Sequence, residues 1–236
     1  MEIQSDVPKF DADGLTTFHY APFYSDQRFS SAYAKAIYPL RPEDADVRYR
    51  GYIIQWAVSQ VRELAGDFVE CGTYNAKVAT LILNLEDLRG KKRKFHLFDT
   101  FSGIPAEMLT QREQDLGFAG QFSDVSLAEV MEKLKDYRDI VEFHKGVIPD
   151  SFQGFFPGRV AFLHLDLNGA KATQAALHLF YPALVQGAVV LFDDYGWDGY
   201  EDQRKVVDLF FADKKEETLA LPTGQGMVIR KSHSRA

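Results

Sequence analysis

The sequence has little cysteine, no long apolar run and no concentration of positive charge. Its single cysteine, Cys71, excludes an internal disulfide and any metal site built from several cysteines. No apolar stretch reaches the length of a membrane-spanning helix, so we expect no membrane partner. Lys and Arg number 27 against 34 Asp and Glu, and the net charge of −7 argues against nucleic acid as a partner, because a phosphate backbone attracts clustered Lys and Arg.

Two further patterns are missing. The first six residues have neither the basic start nor the apolar run of a secretory signal, and we therefore expect a cytoplasmic protein. The dinucleotide pattern G-x-G-x-x-G is absent because residues 73–76 contain no glycine, which disfavours a nicotinamide oxidoreductase. The length and composition are those of an ordinary globular protein. A chain of 236 residues with 46% hydrophobic content predicts one α/β domain, with or without an appendage.

One stretch, residues 66–76, organises the rest of the chain. Residues 68–71 read as a short buried strand that breaks at Gly72, and residues 76–85 read as an apolar helix. A strand, a tight glycine turn and a helix N-terminus leave backbone N–H groups free to face a ligand. The acid in this strand, Glu70, suits a cofactor with a cationic group better than a pyrophosphate. An ordinary strand–helix turn of an α/β protein would show a similar pattern.

Strands and helices alternate from residue 66 onward. The predicted strands are residues 68–71, 94–98, 140–144, 160–165 and 188–192, and the predicted helices are residues 76–85, 127–137, 172–184 and 200–211. Residues 218–221 and 227–230 read as a hairpin. This order predicts an α/β fold with a mostly parallel, Rossmann-like sheet, helices on both faces and a C-terminal antiparallel hairpin strand.

The first 47 residues do not follow this alternation. Aromatic residues are scattered over residues 1–30 without periodicity, so we predict an irregular arm that packs on the domain or on a partner subunit. We expect a short helix over residues 30–37, ended by Pro39 and Pro42, and a longer helix over residues 47–64 started by Glu43 and Asp44. Residues 1–47 are therefore predicted to form an arm or lid, and residues 48–236 the main domain.

Four predicted strands end in acidic residues, which are Glu70, Asp99, Asp166 and the pair Asp193–Asp194. Ligands of open α/β sheets bind at this carboxyl edge, and the crowded acids would repel one another unless a cation offset them. Asp99 ends the second strand, where a Rossmann-type sheet places the acid that binds a ribose diol. The plainer interpretation of Asp99 is a solvated loop acid.

Asp166, Asp193 and Asp194 converge if the fourth and fifth strands are neighbours. Carboxylates in that number suit Mg²⁺, Mn²⁺ or Ca²⁺, whereas helix capping and turn formation would explain the Asp193–Asp194 pair without a metal. His164 shares the side of Asp166 and is interpreted as a core histidine rather than a ligand. The aromatic residues after the acids indicate either a substrate mouth or ordinary packing: Tyr195, Trp197 and Tyr200.

Four segments together resemble one family. They are GDFVECG (residues 66–72), LFDTFSGIP (97–105), VLFDDY (190–195) and LPTGQG (221–226), and they look like motifs of the macrocin and mycinamicin O-methyltransferases. These class I enzymes use S-adenosylmethionine to methylate sugar hydroxyls of natural products. The resemblance implies a class I methyltransferase sheet, S-adenosylmethionine as cofactor and a sugar-containing small molecule as acceptor. The aromatic residues of the arm lead us to expect a homodimer as well.

The resemblance also implies roles for individual residues. Glu70 would meet the methionine amino group, and the other cofactor contacts would be Gly72, Thr73, Tyr74, Asn75, Asp99, Ser102 and Gly146. Asp166, Asp193 and Asp194 would hold Mg²⁺ or Mn²⁺. Apart from the resemblance, a carboxylate next to a metal can act as a base, and we expect Asp166 to be the catalytic base. Two motifs depart from the family pattern: Asn168 stands where an Asp-x-Asp motif has its second acid, and Asn75–Ala76 stands where members often have Arg-Gly-Gly.

Two classes of function stay open on the residues alone. The first is an O-methyltransferase, for which a metal and a carboxylate base would help to deprotonate the acceptor hydroxyl. The second is a non-catalytic cofactor-binding or scaffold protein with a degenerate metal site, which Asn168 and the missing glycines favour. A metal-independent methyltransferase acting on another small molecule is a further alternative.

Overall fold

The computed structural model describes residues 7–38, 45–155 and 158–232, and a mixed sheet forms their centre. Two short strands near the start, β1 (Phe10–Ala12) and β2 (Leu15–Thr17), form a separate hairpin. The central sheet contains β3 (Asp67–Cys71), β4 (Phe95–Asp99), β5 (Val141–Lys145), β6 (Val160–Leu165), β7 (Leu184–Phe192), β8 (Leu219–Ala220) and β9 (Gly226–Ile229).

The strands of the central sheet follow the order β5-β4-β3-β6-β7-β9-β8. The first five strands in this order are parallel, and β9 pairs antiparallel with both β7 and β8. The predicted mostly parallel sheet with a C-terminal antiparallel hairpin is confirmed. The chain reverses direction across the sheet between β3 and β6, which is where open α/β sheets form ligand crevices.

Seven α-helices lie in the described ranges: α1 (Gln27–Ala36), α2 (Arg48–Gln60), α3 (Lys77–Leu85), α4 (Gln111–Asp115), α5 (Leu127–Lys133), α6 (Ala170–Phe180) and α7 (Glu201–Phe211). The apolar side chains of α1, α2, α3 and α5 pack on one face of the sheet, and those of α6 and α7 pack on the other. None of the helices described is long and apolar enough to cross a membrane.

Burial on both faces explains the sequence of the central strands. Every residue of β6 is buried, and five of its six side chains are apolar, as expected for a parallel strand covered by helices on both sides. The exception is His164, which pairs in register with Glu70 of β3. Because Leu165 of β6 pairs with Phe192 of β7, the residues that follow them, Asp166 and Asp193, leave the sheet side by side.

The arm is more regular than predicted. Ala12 pairs with Leu15 across a two-residue turn, in which Asp13 and Gly14 have φ values of 52° and 71°. Asp-Gly is a strong hairpin signal, but three-residue strands are too short to show alternation, which is why an irregular arm was the wrong prediction. The helix α1 also begins earlier than expected, and the breaks and starts assigned to Pro39, Pro42, Glu43 and Asp44 lie outside the described residues.

Residues 7–38 pack against the domain of their own chain. The buried rings of Phe10 and Phe23 each meet Tyr49 of α2 edge-on, at centroid distances of 4.9 and 4.8 Å. Gln55 of α2 donates to the carboxylate of Asp26 at 2.8 Å. Aromatic packing of this kind holds the arm in place, while a separate arm ending at residue 47 and an exchange between subunits stay predictions.

One helix was missed in the polar stretch after β4. Thr110 and Glu113 form a capping box at the start of α4, in which the Thr110 side chain accepts from the Glu113 N–H. The Thr-x-x-Glu pattern is typical of a helix N-terminus, but only five helical residues follow it, which is too few for helical periodicity to be recognised. Glu113 is fully buried and also accepts from the N–H of Ala170, so α4 supports the start of α6 beside the candidate site.

Candidate active site

The turn between β3 and α3 requires glycine at position 72. Gly72 has a φ of +90°, and a Cβ built there would lie 1.7 Å from the carbonyl oxygen of Asp166. The N–H of Asp166 in turn donates to the carbonyl oxygen of Cys71 at 2.8 Å, so the ends of β3 and β6 touch at this point. Gly72 therefore allows the β3 end to approach the β6 end more closely than any side chain would permit.

Two cavities open at the carboxyl edge of the sheet, and we call them cavity A and cavity B. Cavity A is lined by residues that include Asp99, Gly146 and Ile148. Cavity B is lined by residues that include Tyr33, Arg50, Glu70, Thr73, Asn75 and Asp193. Both cavities are lined by Gly72, Tyr74 and Asp166, so they meet at the end of β3.

The carboxylate of Asp99 is oriented by backbone donors. Its Oδ2 accepts from the N–H of Tyr74 at 2.7 Å, and its Oδ1 accepts from the N–H of Phe101 at 2.6 Å. Each carboxylate oxygen has a further lone pair, so Asp99 can still accept hydrogen bonds from a ligand in cavity A. The structure thus places Asp99 in a fixed orientation at a cavity wall, which is what a ribose-binding acid requires.

Glu70 and His164 form a buried pair beneath cavity B. The Nδ1 of His164 lies 3.2 Å from Glu70 Oε1, and its Nε2 lies 3.6 Å from Asp193 Oδ1. Burial lowers the pKa of His164, but the carboxylates of Asp193 and Glu70 outweigh it and raise the value to about 10. Burial also raises the pKa of Glu70, against the opposing effect of His164. His164 joins the end of β3 to the end of β7 through its contacts with Glu70 and Asp193.

The three aspartates that follow β6 and β7 converge. Asp166, Asp193 and Asp194 each present an oxygen, and these oxygens lie within 4.8 Å of one another. Asp193 and Asp194 are buried and Asp166 is half-buried. The convergence predicted from the strand order is confirmed by this geometry.

A cation of the chain already faces these aspartates. The Nη1 of Arg50 in α2 lies 2.6 Å from Asp193 Oδ2 and 3.9 Å from Asp194 Oδ1. The same guanidinium donates to both oxygens of Asp13, at the turn of the β1–β2 hairpin. Part of the positive charge expected to offset the acids is therefore supplied by the protein itself, because Arg50 reaches them from the helix that precedes β3.

The acids differ in how strongly they hold a proton. Burial raises the pKa of Asp193, but Arg50, His164 and the amide of Gln225 outweigh it and hold that pKa below its usual range. Burial and the charge of Asp193 raise the pKa of Asp194 to about 7. Burial and the neighbouring charges of Asp193 and Asp194 raise the pKa of Asp166 well above its usual value. Asp166 is thus a carboxylate with a high proton affinity at the wall shared by both cavities.

Asn168 is part of the same cluster. Its Nδ2 donates to Asp194 Oδ2 at 2.6 Å and lies 3.4 Å from the hydroxyl of Tyr200. An amide has both a donor and an acceptor end, and rotation of the group by half a turn would present its oxygen to the same point. Asn168 therefore keeps a polar group at the position of the missing acid but contributes no negative charge.

The donor set fits a divalent cation with oxygen ligands. Three converging carboxylates are the hard ligands that Mg²⁺ and Mn²⁺ prefer. Five carboxylates crowd this region, those of Asp13, Glu70, Asp166, Asp193 and Asp194, and they face Arg50 and His164. Additional positive charge would reduce their repulsion.

The other predicted residues divide into two groups. Gly146, Thr73 and Asn75 line the cavities as expected. Ser102 is exposed, lines neither cavity and donates its hydroxyl to the carbonyl of Thr100, so its contact with a cofactor stays a prediction. Cys71 is a buried core thiol whose pKa is raised by burial, in agreement with an inert role.

The aromatic residues after the acids have three different surroundings. The hydroxyl of Tyr195 donates to Asp208 at 2.6 Å, and its ring is buried, so Tyr195 packs in the core. Trp197 stacks on the guanidinium of Arg50, with 5.2 Å between that group and the ring centroid. The hydroxyl of Tyr200 lies beside Asn168, and burial with the charges of Asp194 and Asp166 raises its pKa.

Sequence reasoning missed Arg50, Asp13 and the bridging position of His164. Arg50 and Asp193 are 143 positions apart in the sequence, and no local sequence pattern predicts their contact. His164 did carry a signal, because it is the polar exception in a fully buried strand. A buried charged side chain needs a partner, and that rule alone would have directed attention to Glu70 and Asp193.

Comparison with known proteins places the chain among methyltransferases. The family model for macrocin-O-methyltransferase (TylF) matches residues 52–220. A Streptomyces olivaceus protein named 8-demethyl-8-(2,3-dimethoxy-alpha-L-rhamnosyl)-tetracenomycin-C 4'-O-methyltransferase is 28% identical over 145 residues. That match covers 58% of this chain and 56% of the relative, so it spans little more than half the length of each.

Two solved structures share the fold. The O-methyltransferase NovP has a TM-score of 0.69 at 23% identity, with 78% of this chain and 80% of NovP covered. The calicheamicin methyltransferase CalS11 has a TM-score of 0.67 at 16% identity, with 89% of this chain and 94% of CalS11 covered. At these identities the similarity establishes the architecture, which is that of the predicted class I methyltransferase sheet.

Proposed function

The chain belongs to the macrocin O-methyltransferase family, and on that premise we propose that it transfers the methyl group of S-adenosylmethionine to a hydroxyl of a sugar or glycosylated small molecule. The observation that carries this proposal is the meeting of cavities A and B at Gly72, Tyr74 and Asp166. An extended donor that crosses both cavities has its middle beside Asp166, where the acceptor must lose a proton.

The two cavities suit the two ends of the donor. Asp99 in cavity A is oriented to accept hydrogen bonds from a ribose diol, and Gly146 lines the same cavity. Glu70 in cavity B presents a carboxylate to the amino group of the methionine end. Thr73, Tyr74 and Asn75 at the start of α3 would hold the methionine carboxylate, because a helix N-terminus attracts an anion. We also propose that Ser102 contacts the ribose.

The proposed reaction is an in-line displacement at the sulfonium methyl group. The acceptor oxygen forms a bond to the methyl carbon while the carbon–sulfur bond breaks, and sulfur keeps the electron pair in S-adenosylhomocysteine. Alignment of the oxygen with the methyl group contributes much of the rate. The hydroxyl proton passes to Asp166, whose pKa is raised well above its usual value by burial and by Asp193 and Asp194.

We also propose that the reaction is assisted by a divalent metal. Asp166, Asp193 and Asp194 would hold Mg²⁺ or Mn²⁺, which would lower the pKa of the acceptor hydroxyl and help to orient it. A specific observation favours the alternative of metal-independent transfer: Arg50 already places a positive charge 2.6 Å from Asp193. In that alternative Asp166 acts as the base without a metal.

The acceptor class is proposed from one relative. The Streptomyces olivaceus protein carries a rhamnosyl group in the name of its substrate, and we infer that this chain also methylates a sugar-containing small molecule. The homodimer and the cytoplasmic location expected from the sequence stay predictions.

A panel assay tests the proposed function. The protein is incubated with S-adenosylmethionine, Mg²⁺ and separate sets of free sugars, glycosylated small molecules and phenols, and methylated product and S-adenosylhomocysteine are measured by mass spectrometry. We expect methylation in the glycosylated set, with one S-adenosylhomocysteine per methylated product. Cofactor binding without product in all three sets would favour the non-catalytic alternative, and product only among the phenols would reject the sugar acceptor.

Chelation separates the two forms of the mechanism. Activity is measured after exhaustive chelation and again after Mg²⁺ is restored, with binding of S-adenosylhomocysteine followed by calorimetry in both samples. We expect activity to fall with chelation and to return with Mg²⁺, while cofactor binding stays nearly constant. Full activity in the chelated sample would reject metal assistance and support transfer with Asp166 as base and Arg50 as the compensating charge.

A further inference from the structure

A second group of metal-ligand side chains lies on the central sheet, away from the aspartates. His96 is the second residue of β4, and Glu142 and His144 are the second and fourth residues of the edge strand β5. We call these three residues the edge cluster. The candidate active site follows the carboxyl ends of the strands, and its cavity A reaches Asp99 and Gly146 at the ends of β4 and β5. None of the three residues of the edge cluster lines cavity A or cavity B, so the edge cluster is a separate group of side chains.

The ligand atoms of the edge cluster have the spacing of a tetrahedral metal site. The Nδ1 of His96 lies 3.1 Å from the Nε2 of His144 and 3.5 Å from Oε2 of Glu142. One ligand atom from each of the three residues lies within 4.8 Å of the other two. Zinc binds imidazole nitrogens and carboxylate oxygens at about 2.0–2.2 Å, which puts neighbouring ligands of a tetrahedron about 3.3–3.5 Å apart. The cluster therefore needs little movement to close around a metal ion.

The side chains around the edge cluster support ligation. The Nε2 of His96, on the far side of its ring, lies 3.6 Å from Oδ2 of Asp67. Metal-binding histidines usually donate their second ring N–H to a carboxylate, which fixes the tautomer and the ring orientation. Asp67 is the carboxylate on that side of His96, slightly beyond hydrogen-bond distance. Lys94 lies 3.2 Å from Oε1 of Glu142, and this contact leaves the other oxygen, Oε2, directed toward His96.

The ring of His144 is positioned by aromatic packing. It stacks on Phe98 with 4.2 Å between centroids and an interplanar angle of 12°, and Phe155 lies 4.7 Å away. Its Nε2 lies 3.1 Å from the Nδ1 of His96, so the packed ring presents a ligand nitrogen to the other members of the edge cluster. The side chain of Glu142 is 45% exposed, which leaves a path for the metal and a position for water.

We propose that the edge cluster of His96, Glu142 and His144 binds a divalent transition metal of the Zn²⁺ type, which ties the edge strand β5 to β4. Two imidazoles and one carboxylate suit Zn²⁺ and discriminate against Mg²⁺, which prefers oxygen ligands. The aspartates at the other end of the sheet have the opposite preference. The competing interpretation is a hydrogen bond between two neutral imidazoles with no metal, and it predicts no specific Zn²⁺ binding.

The test begins with the full chain after removal of metals by a chelator. Zn²⁺ alone is titrated by calorimetry, and thermal unfolding is followed with Zn²⁺ and separately with Mg²⁺. We expect one Zn²⁺ per chain at this site and a rise in Tm of about 5 °C or more when free Zn²⁺ reaches about one hundred times its Kd. Mg²⁺ should give no rise that depends on the edge cluster. Co²⁺ in place of Zn²⁺ should give the visible absorption of a tetrahedral site.

Variants assign the binding to the edge cluster. His96→Gln and His144→Gln should each remove the Zn²⁺-dependent rise in Tm, and Asp67→Asn should weaken Zn²⁺ binding by about 10–100-fold. Glu142→Gln is the milder variant, because its side chain is half exposed and the substitution should not prevent folding. His19→Gln is the matched control, since His19 is an exposed histidine of the arm.

A further control separates this site from the aspartates. Asp193→Asn should keep the Zn²⁺-dependent rise in Tm, and the variants of His96 and His144 should keep methyl transfer. The proposal is overturned if the unsubstituted protein binds no Zn²⁺, or if Glu142→Gln and His144→Gln bind it as tightly as the unsubstituted protein does. Loss of the rise in Tm in Asp193→Asn, with the rise kept in His144→Gln, would assign the zinc to the aspartates instead.

Discussion

Backbone groups hold the proposed cofactor side of the candidate active site, whereas charged side chains hold the proposed acceptor side. On the first side, Asp99 is oriented by two N–H groups and Gly72 by its own backbone conformation. On the second side, Asp193 is held by Arg50 and Gln225 and lies beside His164. Backbone donors do not titrate near neutral pH, so we expect the cofactor side to be insensitive to pH and the acceptor side to respond to protons and cations.

The largest effect is expected at Gly72, where the two sides touch. Gly72→Ala places a Cβ 1.7 Å from a backbone oxygen at a φ of +90°, and we expect a loss of at least about 4 kcal/mol in the free energy of unfolding. Urea denaturation measures it. Gly117→Ala is the control, because its φ is +78° and nothing lies within 4 Å of the new Cβ, so only about 1–2 kcal/mol should be lost. Equal losses in the two variants would refute the close approach at Gly72.

The next largest effect should separate catalysis from cofactor binding. Asp166→Asn keeps the shape of the side chain but removes the proposed proton acceptor, and we expect kcat to fall by about 10²–10⁴-fold. The Kd for S-adenosylhomocysteine, measured by calorimetry, should change by less than about threefold, because a charged base is not needed to hold the donor. A fall in cofactor affinity equal to the fall in kcat would place Asp166 on the cofactor side.

Asp99→Ala should weaken cofactor binding and leave kcat nearly unchanged, which is the opposite of the result expected for Asp166→Asn. We expect the affinity for S-adenosylmethionine to fall by about 1.5–3 kcal/mol, the value of hydrogen bonds to a charged group, while kcat at saturating donor stays within about threefold. Calorimetry and steady-state kinetics measure the two quantities. If the variant bound the donor as tightly as the parent, Asp99 would be only a loop acid that caps the turn at Tyr74 and Phe101.

The smallest effect concerns protons on the acceptor side. The folded state raises the pKa of Asp194 from 3.8 to about 7, so it binds this proton more tightly than the unfolded chain does. The contribution of Asp194 to stability should therefore decline as pH rises from about 4 to about 7. In metal-free protein, the difference in unfolding free energy between Asp194→Asn and the parent should change across this window, and parallel pH curves would contradict the shift.

The same contrast explains how much the sequence could predict. The strands, Gly72 and the acids at the strand ends depend on local patterns such as apolar runs and turns, and they were predicted close to their observed positions. Arg50 could not be found in this way, because it meets Asp193 only after α2 has packed on the sheet. The hairpin turn at Asp13 and the capping box of α4 had local signals, but the elements they begin are too short for periodicity to support them.

The guanidinium of Arg50 couples the docking of the β1–β2 hairpin to ligand binding at the acidic residues. Arg50 contacts Asp13 of the hairpin and Asp193 of the acid cluster at the same time, and Trp197 covers it. By linkage, a ligand that binds the acids more tightly when the hairpin is docked must strengthen hairpin docking by the same factor. A ligand that draws Asp193 away from Arg50 would alter the docking of the hairpin. Amide hydrogen exchange in residues 10–17 should therefore report whether a ligand is bound at the carboxyl edge of the sheet, although the two regions are far apart in the sequence.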